Sequence, residues 1–135
     1  MILMKRSVIL ILALVLMMLS ACAAEEQSNT GYTIITQEEA KAMMEKDDGH
    51  VIVDVRRQDE YDSCHIPGAI LIPNESITDT KPAELPDLDQ IILIYCRSGN
   101  RSKQAAQKLA DLGYTNLYEF GGIIDWTGET VCRDS

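Results

Sequence analysis

Apolar positions fall along this chain in five short runs, separated by stretches of helical spacing. Residues 51–55 (VIVDV) and 91–95 (IILIY) are nearly continuous apolar runs, the pattern of strands buried on both faces. Residues 32–35 (YTII), 69–72 (AILI) and 117–120 (LYEF) are shorter β-favouring runs, and Pro67-Gly68 and Pro73 bound the middle one. Thr36-Gln37-Glu38-Glu39 reads T-x-x-E, a capping box, and Ala40, Met43 and Met44 follow at helical spacing. That predicts a helix to about residue 46, stopped by Asp47-Asp48-Gly49. Residues 102–112 put Ala105, Ala106, Leu109 and Leu112 on one face, with Gly113 as the stop and Ser102 as the expected N-cap. Short helical turns are expected at 58–62 and 123–126, and largely irregular chain at 74–89. Strands alternating with helices predict an α/β domain with a parallel sheet covered on both faces.

The first third reads differently. Lys5 and Arg6 precede an unbroken apolar run over residues 8–19. Twelve helical residues span roughly 18 Å, too short for a bilayer core but the length of a signal-peptide apolar region. Leu19-Ser20-Ala21-Cys22 follows and resembles the bacterial lipobox. The resemblance implies a lipoprotein signal peptide over 1–21, acylation of Cys22, and a polar tether over 22–31. The folded domain is then expected at 32–135, extracytoplasmic and anchored to a bacterial membrane.

Charge narrows the functions further. With 12 basic and 21 acidic residues the chain carries −9, and without residues 1–21 it carries 10 − 21 = −11. An acidic body is not expected to bind nucleic acid or anionic lipid by itself. Four scattered cysteines, Cys22, Cys64, Cys96 and Cys132, show no CxxC spacing, which argues against a zinc ribbon or a thioredoxin-type motif.

Ligands of open parallel sheets sit at the carboxyl ends of the strands. The most apolar strand runs straight into Cys96-Arg97-Ser98-Gly99-Asn100-Arg101-Ser102, and a helix follows. Loop N–H groups and a helix N-terminus make an anion cradle, and Gly99 allows a tight curl. Arg97 and Arg101 add positive charge in an acidic protein. All of these favour a thiolate, so Cys96 is the expected nucleophile.

This loop resembles that of the single-domain rhodaneses, a sulfurtransferase family. Asp54-Val55-Arg56, Glu60-Tyr61 and His65-Ile66-Pro67-Gly68-Ala69 resemble the family's N-terminal signature, and Gly121-Gly122-Ile123 with Trp126 its C-terminal one. The likeness covers residues 32–135. It implies a central five-stranded parallel sheet with helices on both faces. It also implies a Cys96 persulfide, loaded from a donor such as thiosulfate and unloaded onto cyanide or a thiol, with no metal or organic cofactor. Residues 97–102 would bind the substrate. Related phosphatases and arsenate reductases use Cys-x5-Arg; Cys96 to Arg101 is Cys-x4-Arg, a shorter loop suited to one sulfur atom.

The other residues have structural expectations. Asp54 and Arg56 support the architecture through charged hydrogen bonds. His65 belongs to a turn, Trp126 plugs the core between helix and sheet, and Glu60 makes a helix or loop contact. Cys64 stands where the family usually has Gly. It is left as a resolving thiol for Cys96, a partner of Cys132, or neither. The alternatives to free turnover are a persulfide carrier or a thiol-redox module working with a protein partner, a thiol reductant among them.

Overall fold

The computed structural model describes residues 30–134. The expected signal peptide, Cys22 and most of the expected tether lie outside the described residues. The last two tether positions already belong to the fold. The Thr30 hydroxyl donates to the Tyr32 carbonyl, and a Cβ on Gly31 would come within 2.8 Å of Ala110 Cβ.

Among the described residues seven strands and three α-helices follow in order: β1 (Thr33–Ile34), α1 (Gln37–Met44), β2 (Val51–Asp54), α2 (Gln58–Ser63), β3 (Cys64–His65), β4 (Ile70–Leu71), β5 (Ile92–Cys96), α3 (Asn100–Asp111), β6 (Leu117–Gly122) and β7 (Val131–Cys132). Five strands form one sheet in the order β1-β6-β5-β2-β4, and every neighbouring pair is parallel. This is the expected sheet. β3 and β7 form a separate antiparallel pair, with Cys64 opposite Cys132.

Alternation along the central strands divides the core in two. Val53, Val55, Ile92 and Ile94 face α3 through Ala105, Ala106 and Leu109. Ile52, Leu93 and Tyr95 face the other way, with Ala40 of α1, Ile66 and Phe120. The two faces explain why β5 is apolar throughout and fully buried.

Local chemistry sets the ends. The capping box forms as read: Thr36 Oγ1 accepts the Glu39 N–H at 3.1 Å, and the Glu39 carboxylate accepts the Thr36 N–H at 2.7 Å. α1 ends at Met44, two residues before the expected stop. The irregular segment at 74–89 carries one 3-10 turn, Asn74–Ser76. It is not loose: Ile77 and Leu85 are buried in the core, and the Tyr114 hydroxyl donates to the Leu85 carbonyl.

Two expectations need correction. α3 begins at Asn100 rather than Ser102, because Gly99 at φ 105° turns the chain into the helix and takes the N-cap position. Trp126 does sit between α1 and β6, but at the edge of the core rather than as a buried plug. It is half-buried at the rim of the α1-side core, tilted against Phe120 with Lys41 over its ring, and its indole N–H donates to the Glu129 carbonyl.

Candidate active site

β5 delivers Cys96 to the carboxyl end of the sheet. Strand pairing with β6 is irregular between Ile94 and Cys96, and Cys96 lies opposite Gly122. The backbone of Arg97 and Ser98 then crosses directly over Gly122. A Cβ there would fall 2.0 Å from the Arg97 carbonyl oxygen and 2.6 Å from Ser98 Cα. The Ile124 N–H donates to the same Arg97 carbonyl at 3.2 Å. The loop is thus pressed onto β6 by the absence of a side chain.

Cys96 is 1% exposed and is the only free cysteine among the described residues. Its sulfur accepts the Gly99 N–H at 3.0 Å. Its thiol donates to Ser102 Oγ at 3.3 Å. Ser102 is therefore not a helix cap. It points inward from the first turn of α3, and its oxygen lies 2.6 Å from Glu119 Oε1 and 3.0 Å from the Gly99 carbonyl. Glu119 is 1% exposed, and its Oε1 also accepts the Gly121 N–H at 2.8 Å.

The two arginines part company. Arg101 turns from the sulfur to Glu60 on α2, making two hydrogen bonds of 2.7 and 3.0 Å. This pairing holds the Glu60 carboxyl down at about 2, far below the usual range, and raises Arg101. Arg97 is exposed and makes no ion pair among the described residues. Ser98 and Asn100 are exposed beside it. Open clefts of about 560 and 350 Å³ flank the loop, the first lined by Arg97, Arg56, Glu60 and Ile124, the second by Ser98, Gly99, Lys103 and Glu119.

Behind the loop lies a buried charged network. Asp54 is fully buried and accepts from Arg56 Nε and Nη2, the latter at 2.7 Å. The Tyr95 hydroxyl donates to Asp54 at 2.8 Å and accepts the Ile66 N–H at 3.0 Å. Burial raises the Tyr95 phenol well above its ordinary value, and the Asp54 charge adds to the effect. Arg56 also donates to the Cys64 carbonyl. Asp54 and Arg56 touch neither Cys96 nor Ser102; they tie the ends of β2 and β5 to the turn before β4. His65 lies in β3 opposite Val131 rather than in a turn; it stacks flat on Tyr61 and bonds its carbonyl through Nδ1 at 2.8 Å, a packed structural residue.

Cys64 and Cys132 form a disulfide, which closes the alternatives left by the sequence. No described group of three His, Cys, Asp or Glu residues is disposed to hold a metal. Glu119 and Tyr95 join the site without being singled out by the sequence pattern. The one signal for Glu119 was an acid in the middle of the apolar run LYEF.

A parallel sheet whose central strand sets a lone thiol inside a glycine-curled loop at a helix start defines a cysteine-loop α/β domain. The rhodanese-like domain matches residues 36–129, and the chain belongs to that family. The thiosulfate sulfurtransferase GlpE of Pseudomonas syringae is 36% identical over 98 residues, 72% of this chain and 89% of that protein. A candidate sulfur carrier protein, YrkF, of Bacillus subtilis is 36% identical over 97 residues; the match takes in 71% of this chain but only 51% of that one. Among solved structures, a rhodanese with anions from E. coli superposes with a TM-score of 0.57 at 31% identity, over 62% of this chain and 99% of that one.

Proposed function

We propose that this protein is a sulfurtransferase that carries sulfane sulfur as a Cys96 persulfide. The observation that carries the proposal is the environment of Cys96: one unpaired thiol, buried under its own loop, with the Gly99 N–H directed at the sulfur. In the first half-reaction the Cys96 thiolate attacks the outer sulfur of thiosulfate. The new S–S bond forms as the old one breaks, and sulfite leaves with the bonding pair. In the second half-reaction cyanide or a thiolate takes the outer sulfur, and the bonding pair returns to Cys96. The Gly99 N–H stabilises negative charge on the sulfur. Arg97, exposed at the loop mouth, draws in the dianionic donor. Arg101, held by Glu60, fixes the first turn of α3 rather than touching the donor.

The acceptor is a small thiophile or a protein thiol. Carriage to a protein partner without free turnover is the second reading, favoured by the likeness to a candidate sulfur carrier. We further propose that the domain works outside the cytoplasm, tethered through lipidated Cys22. The Cys64–Cys132 disulfide supports an oxidising compartment, where such bonds persist. A thiol reductant that keeps Cys96 reduced is then expected as a partner.

Thiosulfate-to-cyanide transfer by the purified protein, beside Cys96→Ser, tests the reading. Thiocyanate formed by wild type and lost in the variant supports it. No thiocyanate, but a stoichiometric protein captured on persulfidated Cys96, favours the carrier. Hydrolysis of p-nitrophenyl phosphate or reduction of arsenate without any persulfide would overturn both.

A further inference from the structure

Glu119 is the least expected group in the domain. It lies mid-strand on β6, it is 1% exposed, and it makes no ion pair among the described residues. A buried carboxylate without a cation is costly unless it is hydrogen-bonded or changes its protonation. Its bonds lead in one direction. The Cys96 thiol donates to Ser102 Oγ, and the Ser102 hydroxyl donates to Glu119 Oε1, the shortest link of the chain at 2.6 Å.

We infer that Glu119 is a positioning residue that stores the Cys96 proton through Ser102; this rests on the sulfurtransferase reading above. As the thiolate forms, the Cys96 S–H bond breaks and Ser102 Oγ takes the proton. The Ser102 hydroxyl proton passes to Glu119 Oε1, leaving a neutral carboxylic acid and one negative charge on sulfur. Attack on thiosulfate moves that charge to the outer sulfur of the persulfide, and sulfite departs as the dianion. When the acceptor removes the outer sulfur, the proton returns along the same path. The buried site therefore holds one negative charge throughout instead of two. The other charged groups around the loop are Arg97, Arg101 and Lys103 from the loop and α3, Arg56 beyond the end of β2, Asp59 and Glu60 from α2, Glu75 near Arg101, and Asp125 after β6. None of them hydrogen-bonds Cys96 or Ser102.

Glu119→Gln is a clean probe. Both hydrogen bonds to this side chain end on Oε1, which a glutamine oxygen can also accept, so the substitution removes the proton store and keeps the geometry. Wild-type persulfide formation from thiosulfate is expected to vary little across the neutral range. In Glu119→Gln the proton must go to solvent, and the rate is expected to climb about tenfold per pH unit. Infrared difference spectra of wild type should gain the C=O stretch of a protonated carboxylic acid on loading, absent in the variant. The infrared arm needs no variant to fold. A variant as fast as wild type with a flat profile, or loading without the acid band, overturns the relay. Absence of any persulfide in wild type instead sinks the sulfurtransferase reading, so the two failures are distinct.

Discussion

The Arg101 guanidinium lies against the Glu60 carboxylate, with Nη1–Oε2 at 2.7 Å and Nη2–Oε1 at 3.0 Å. Two parallel charge-assisted bonds of this kind fix orientation as well as distance. They tie the first turn of α3 to α2, elements 41 residues apart in sequence, and so steady the loop between them. An arginine near a nucleophilic sulfur invites a substrate role; here two of its five N–H donors are committed to Glu60.

The pairing makes a pH prediction. Glu60 ionises at about 2 in the folded chain against an ordinary 4.5. A lowered carboxyl stabilises the fold above pH 4.5, and that stability is lost as pH falls from there toward 2. At neutral pH, Glu60→Gln should cost about 1–2 kcal/mol after solvent screening of the partly exposed arginine. Near pH 2 the two proteins should differ little. Urea titrations at both pH values check this; an equal gap at each would count against the pairing.

Asp54→Asn leaves Arg56 buried and without its counter-charge. The expected loss is about 3–5 kcal/mol, measured by chemical denaturation. Tyr95→Phe removes the hydroxyl from Asp54 and from the Ile66 N–H, with an expected loss of about 1–3 kcal/mol. Neither side chain hydrogen-bonds Cys96, so persulfide formation at a temperature where the variants stay folded should change only a few-fold. A large kinetic loss in folded Tyr95→Phe would give that network a catalytic part.

Gly122→Ala is expected to be far worse than an exposed glycine change. The added methyl would meet the backbone of Arg97 and Ser98, which cannot rotate away as a side chain can. Overpacking of this kind costs about 1–3 kcal/mol and shifts the backbone. Because that backbone is the Cys96 loop, sulfur transfer should fall by more than tenfold. Gly49→Ala, where a Cβ meets nothing within 4 Å, separates crowding from the loss of a glycine: it should pay for its φ of 75° in stability and leave transfer intact.

The disulfide spans 68 residues. Chain-entropy reasoning gives a loop of that size about 4 kcal/mol, and natural disulfides in small domains contribute about 2–5 kcal/mol. Cys64→Ser with Cys132→Ser should lower the melting temperature markedly, while alkylation of the native protein should label Cys96 and neither of the pair. Labelling of Cys64 in unreduced protein would contradict the pairing.

Much of this was legible in the chain. VIVDV and IILIY can be buried only between two covered faces, and IILIY ends on the one cysteine followed by Gly99 and two arginines. The start of α3 was misread because Ser102 looks like a cap, while the φ of Gly99 decides where the helix begins. Asp54-Val55-Arg56 reads as support, but nothing local says that the Tyr95 hydroxyl completes it from another strand. Glu119 is only weakly marked for a related reason: an acid in a short strand reads as a solvent-facing position until β5 and α3 are placed around it. The Cys64–Cys132 pairing needs the register of β3 on β7, two strands of two residues each that no periodicity announces.

The outermost strands of the sheet, β1 and β4, are each only two residues long. A free sheet margin is a template on which a neighbouring chain can add its own strand, and its danger grows with its length. Here the template is too brief to seed such growth on either side. The brevity of both margins thus guards the sheet against growing edge to edge onto another copy.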